Sequence, residues 1–190
     1  MSSRAGVLLV VAGCRIGFDP IAVDIDAPSV TCPSSYTVML GSSSSSYRVS
    51  SEDKLLTAHH AACTSDAPSG THLVFIDDVM EQADLYAVLR TVPRVNGDRF
   101  YVGVVQPPGE ADLASAWVSF AGDPVAPDLW RRDEPNDLDL IEDGGEQLAV
   151  VDVSFAESGQ LVDVSGNASY GAICECDGLL VDPAVVADLP

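Results

Sequence analysis

Four cysteines, Cys32, Cys63, Cys174 and Cys176, place the strongest constraint on what this chain can fold into. The N-terminus reads as an export signal: Arg4 supplies a positive charge, Ala5 to Val11 an apolar run, and Val11-Ala12-Gly13 small residues ending on a fifth cysteine, Cys14. An even count of the remaining cysteines in an exported chain implies disulfides. Of the three connectivities that four cysteines allow, the one joining Cys174 to Cys176 is disfavoured. Alternate residues of a strand point to the same face without the geometry a bridge needs. Two long-range bridges remain, so the end of the chain must be tied back to its first third. Which early cysteine meets which late one stays open at this point.

The segment Val11-Ala12-Gly13-Cys14 resembles a bacterial lipoprotein lipobox. That resemblance implies cleavage before Cys14, making residues 1–13 a signal peptide. It also implies a lipid on Cys14 that anchors the mature protein to the bacterial cell envelope, on the extracytoplasmic side, with 14–31 as a tether. The alternative is an ordinary secretory signal and a secreted protein. No other window has 18 uninterrupted apolar residues, so the lipid is the expected contact with the membrane. Asp and Glu number 29 against 9 Lys and Arg, a formal net charge of −20. Nucleic acid is excluded as a partner on this ground, because binding its phosphates needs clustered cations. Cations and neutral polar ligands suit such a field.

Along the chain, Cys32 opens a strand through Val38 to Leu40, and the turn-forming run Gly41 to Ser46 predicts a hairpin returning at Tyr47 to Val49. Ser50 or Ser51 is placed to cap a helix beginning at Glu52 and Asp53 and reaching about Cys63. His72 to Ile76 reads as a short strand. Asp77 then reads as the cap of a second helix to about Leu89, with Met80, Ala83, Ala87 and Leu89 as its apolar stripe. From Arg99 the pattern changes to strands and long loops. The strands are Phe100 to Val105, Ala116 to Phe120, Glu146 to Phe155, Leu161 to Val164 and Tyr170 to Glu175. Helices segregated from most of the sheet make the class α+β.

Six of the eleven residues from Asp133 to Asp143 are carboxylates, and Asn136 adds an amide carbonyl. A hard cation takes six to eight oxygens at roughly 2.3 to 2.6 Å, so this composition points to Ca²⁺. A solvated acidic loop is the bland reading of such a run. An EF-hand is excluded, since the run lacks glycine at the sixth loop position and the fixed acidic spacing. Zinc on His59, Cys63, His72, Cys174 and Cys176 competes with disulfide formation by the same cysteines and is set aside. No Gly-x-Ser-x-Gly elbow occurs, so serine catalysis has no support. Clustering of the carboxylates in one loop, rather than across a cleft, argues against a glycosidase. The chain is not expected to be an enzyme.

From Cys32 to Cys176 the ordered landmarks resemble a C-type lectin-like domain. They are Cys32-Pro33, Cys63 at the end of the first helix, His72-Leu73-Val74-Phe75-Ile76, Tyr101-Val102-Gly103-Val104, Trp117, Trp130, Glu134-Pro135-Asn136, Glu142-Asp143, Asp163 and Ala172-Ile173-Cys174-Glu175. The resemblance implies a fold of two helices with antiparallel sheets and a long irregular loop region, spanning 32–176 and followed by a tail, 177–190. It implies a bridge from Cys63 to Cys174, which leaves Cys32 to pair with Cys176. The family's second bridge is absent: Gly144 and Gly166 stand where its cysteines would be.

In sugar-binding relatives of this kind, calcium is held by the Glu-Pro-Asn triplet, a downstream Glu and an Asn-Asp pair. Carried over by position, the metal and sugar ligands are Glu134, Asn136, Glu142 and Asp163, with Pro135 expected to be cis. Two vicinal sugar hydroxyls would complete the shell. The order Glu-Pro-Asn resembles the mannose/glucose type. Asp137, Glu142 and Asp143 would form an auxiliary calcium site, with Glu110 or Asp112 as a further ligand. Val162 departs from the pattern, since it stands where the Asn of the Asn-Asp pair would be and offers no oxygen. The resemblance therefore implies a calcium-dependent module for a carbohydrate or glycoconjugate. The rival is a metal-independent protein-interaction or structural domain.

Overall fold

The computed structural model describes residues 30–93, 98–108, 116–136, 145–154 and 159–190. The architecture is α+β. Its strands are β1 (Val38–Met39), β2 (Ser46–Lys54), β3 (Thr71–Leu73), β4 (Arg99–Val105), β5 (Val118–Ser119), β6 (Leu148–Asp152), β7 (Leu161–Val164) and β8 (Tyr170–Cys176). The helices are α1 (Leu56–Asp66), α2 (Val79–Leu89) and a short α3 (Pro183–Val186). Among the described residues no helix is long and apolar enough to cross a membrane.

The strands form one sheet in the order β1-β2-β8-β4-β6-β7, with β3 also paired to β8 and β5 to β4. Among these described strands every pairing is antiparallel except one. β4 runs parallel to β8, matching Phe100 with Gly171 and Tyr101 with Ala172, so the sheet is mixed rather than purely antiparallel. Alternation along the central strands divides their side chains between two apolar clusters. Phe100, Val102, Val104, Ala149, Val151 and Ile173 join Leu85 and Leu89 of α2. Tyr101, Val105, Leu148, Val150, Ala172 and Cys174 join Leu56 and Cys63 of α1. Both faces are thus covered, which explains the near-continuous apolar reading of β4 and β6. Gly103 is required by close packing, since a Cβ there would lie 2.7 Å from the Leu73 carbonyl oxygen.

Two bridges staple the chain. Cys63 on α1 is joined to Cys174 on β8, and Cys32 to Cys176 with their Cα atoms 5.8 Å apart. The cysteines considered for zinc are therefore consumed. Val30 packs against the cluster that contains Cys176, and a Cβ on Gly70 would meet its Cγ1 at 2.6 Å. The segment after Cys176 also folds back: Val181, Val185, Val186 and Leu189 pack against the cluster containing α1.

Three local expectations are corrected. The first helix does not begin at a Ser50 or Ser51 cap. Ser46–Lys54 is a strand paired with β8 from Ser46↔Cys176 to Lys54↔Tyr170, and α1 starts at Leu56 with no side-chain cap. Backbone partners supplied by β8 outweigh the local capping preference there. The second helix is capped by Asp78, whose Oδ1 accepts from the backbone N–H of Met80 and Glu81 at 2.8 and 2.9 Å. Asp77 instead donates its N–H to Glu81 Oε2 at 2.8 Å. The buried stripe of α2 is Glu81, Gln82, Leu85 and Leu89, whereas Met80 is exposed. Two polar residues tolerate that burial because their heads are bonded. Glu81 accepts from the Tyr47 hydroxyl, and Gln82 Nε2 donates to the Leu129 carbonyl at 2.8 Å.

Candidate functional site

The turn 130–136 is held against β7 by its backbone. Trp130 bridges to Leu161, and the Arg131 N–H donates to the Leu161 carbonyl at 3.0 Å. Buried Trp130 packs edge-on to Trp117, centroids 4.7 Å apart, which fixes the start of the turn in the core. The Glu134 N–H then donates to the Arg131 carbonyl at 2.9 Å, and Asp133 takes a φ of 67°, reversing the chain. The Glu134–Pro135 peptide is cis. Asn136 donates its backbone N–H to Asp163 Oδ2 at 3.0 Å.

Glu134, Asn136 and Asp163 are thus brought together from a turn and a strand. The Glu134 side chain is only 3% exposed. One of its oxygens accepts from the Asn136 side-chain amide and the other from the Arg131 guanidinium. Burial first, and then Asp163, push the Glu134 carboxyl up to about 7, with Arg131 opposing the rise. Asn136 Oδ1 is buried and has no hydrogen-bond partner among the described residues. A buried carbonyl oxygen without a donor needs an explanation. Beside two carboxylates, the donor set fits a hard cation.

Val162 lies on the opposite face of β7 from Asp163. It is 4% exposed and sits in the cluster with Tyr101, Leu148 and Val150. Leu161 is fully buried in the other cluster. Asp137, Glu142 and Asp143 lie outside the described residues, as do Glu110, Asp112 and Cys14. Arg131 matches no motif in the sequence. Its only signal is a position three residues before Glu134, where it can pair along the turn.

A second polar group sits where β3 meets β8. His72, Glu175 and Asp177 place their ligating atoms within 4.8 Å of one another. His72 Nε2 lies 2.9 Å from Asp177 Oδ1, and Nδ1 2.8 Å from the Leu73 carbonyl oxygen. Burial alone would push the imidazole down. The bonds to Asp177 and Leu73, with the charges of Asp177 and Glu175, raise it instead. Glu175 accepts the Phe75 N–H at 3.1 Å and is pushed up to about 7, by burial and then by Glu81 and Asp177.

No family model and no curated protein matches the sequence. Solved structures do match the architecture. The C-type lectin CEL-I from Cucumaria echinata superposes with a TM-score of 0.62 at 18% identity, covering 79% of this chain and 100% of its own. This chain has the C-type lectin-like fold. The carbohydrate-recognition domain of the mouse scavenger receptor C-type lectin gives 0.58 at 22% identity, covering 80% of this chain and 100% of its own. A calcium-independent type II antifreeze protein gives 0.56 at 20%, covering 78% and 96%. The C-type lectin-like scaffold therefore extends beyond carbohydrate recognition, and residues must decide what this copy does.

Proposed function

We propose that this C-type lectin-like domain is a calcium-dependent carbohydrate-binding module. On this reading it is carried outside the cytoplasm by an envelope lipoprotein anchored through Cys14. The observation that carries it is the buried Asn136 Oδ1, which has no hydrogen-bond partner among the described residues, beside Glu134 and Asp163. These three residues, with Glu142, would hold Ca²⁺, which when bound supplies a Lewis-acidic contact for two vicinal sugar hydroxyls. The chain's own part is positional. Asp163 fixes the Asn136 backbone, and the Trp130–Leu161 bridge fixes the turn that presents Glu134. The same carboxylates would accept hydroxyl protons while the Asn136 amide donates, a pairing that selects neutral polyols of mannose type. Asp137 and Asp143 would belong to an auxiliary ion. The domain is read as a binder and not as an enzyme.

The test is a calorimetric titration of Ca²⁺ into EDTA-stripped, oxidised full chain at pH 8, above the value to which Glu134 is raised. Saturable binding at about micromolar to low millimolar calcium, abolished in Glu134→Gln/Asn136→Asp, is expected. Absence of binding in folded wild type would sink the proposal. The anchor is tested separately: Cys14→Ser should move the protein from the membrane fraction to the soluble fraction, and an unchanged distribution would refute it.

The second reading is a metal-independent interaction module. It is favoured by the packing of Val162 into the core, which leaves no side-chain oxygen at that position, and by the pairing of Glu134 with Arg131. The same titration separates the two.

A further inference from the structure

We infer that Arg131 is a tethered cation that neutralises Glu134 when no metal is bound and must withdraw when one binds, so that it sets the calcium concentration at which the site fills. This rests on the reading of Glu134, Asn136 and Asp163 as a calcium site.

The tether is short, and its backbone end is held. The Arg131 N–H is held by the Leu161 carbonyl at 3.0 Å, and its own carbonyl accepts the Glu134 N–H at 2.9 Å, so the backbone from which the guanidinium swings is fixed beside the carboxylate. Nη2 donates directly to Glu134 Oε1. That oxygen is one of those a cation would need. Glu134 and Asp163 carry two negative charges when ionised, and Arg131 supplies a single positive one. A divalent ion supplies two. With the guanidinium still docked, the ion would share a carboxylate oxygen with a like charge, and repulsion would oppose it.

Withdrawal is feasible because the two partners differ in exposure. The Glu134 side chain is 3% exposed, but that of Arg131 is 28% exposed and already touches solvent. Rotation of the guanidinium outward rehydrates it without moving the backbone. Arg132 provides the internal control. Its side chain is 91% exposed and lies 3.8 Å from the equally open Asp133, a carboxylate that is solvated rather than buried.

The experiment is calcium titration by calorimetry, with thermal melts in EDTA and in saturating calcium, on the oxidised full chain at one ionic strength. Wild type is compared with Arg131→Ala, Arg131→Lys and Arg132→Ala. Arg131→Ala should bind calcium about tenfold more tightly, a size between an exposed ion pair and a buried charge-assisted bond. It should also melt lower than wild type in EDTA and equal to it in calcium. Arg131→Lys keeps the charge and loses the planar fork, so it should fall between. Arg132→Ala should match wild type. If the alanine variant fails to fold, Arg131→Gln takes its place. Calcium affinity equal to or weaker than wild type in the Arg131 variants, with wild type binding, would overturn this inference alone. No binding by wild type or variants would remove the calcium site and the inference together.

Discussion

Replacing Cys63 and Cys174 together with alanine is expected to lower the unfolding free energy of the oxidised protein by about 3 to 4 kcal/mol from chain entropy, with a further loss from packing. The two bridges are nested, with sequence separations of 111 and 144 residues. While Cys32–Cys176 remains, the inner bridge constrains only a loop of roughly 33 residues, made of the segment from Cys32 to Cys63 and the step from Cys174 to Cys176. The same holds in reverse, so either single loss has a similar entropic size. The packing part differs: Cys63 and Cys174 are buried in the cluster around α1, whereas Cys32 is half-buried. Losing both bridges removes about 8 to 9 kcal/mol, comparable with the whole stability of an ordinary domain. Urea unfolding of both paired alanine variants and of the reduced wild type checks this. A loss below about 1 kcal/mol for the Cys63/Cys174 pair would contradict it.

Glu175→Gln is expected to stabilise the protein at pH 8 by about 2 to 3 kcal/mol and to change little near pH 4. Glu175 is 3% exposed, and its carboxyl is raised from an ordinary 4.5 to about 7 by burial and by Glu81 and Asp177. A carboxyl whose folded value lies above its unfolded one contributes stability that is complete below about 4.5. That contribution is lost as the pH rises through about 7. His72, also raised, acts in the same direction, as do the raised carboxyls of Asp77, Glu81 and Glu134, so wild type should weaken towards alkaline pH. Glutamine keeps an oxygen for the Phe75 N–H and carries no charge to desolvate. Thermal melts of both proteins from pH 4 to 8 provide the measurement. A difference that does not grow with pH would refute the assignment to Glu175.

Features carried by covalent chemistry and by strong alternation were legible in the sequence. The cysteine count demanded long-range bridges, β4 and β7 could be bounded closely from their apolar runs, and the ordered landmarks pointed to the fold. What failed were choices decided by distant backbone. Ser50 to Asp53 has every local mark of a capped helix start, yet β8 offers that segment a ladder from Cys176 to Tyr170. The stripe of α2 was misplaced because Glu81 and Gln82 are polar. Their burial depends on Tyr47 and the Leu129 carbonyl, which are remote in sequence. At the candidate site, Glu134, Asn136 and Asp163 were named in advance and are juxtaposed. Arg131 carries no such mark, because an arginine beside an acidic run has no partner that the sequence alone specifies. The burial of Glu134 gives it a partner worth holding.

The Cys32–Cys176 bridge closes a covalent ring that contains every described strand and both longer helices, at a point where Val30 meets Gly70 and Gly178. A pull applied across residues 30 and 178 would therefore load sulfur and backbone bonds, not the ladders of the sheet. Under tension the scaffold behaves as a clasped loop, mechanically shielded between its ends for as long as its surroundings stay oxidising.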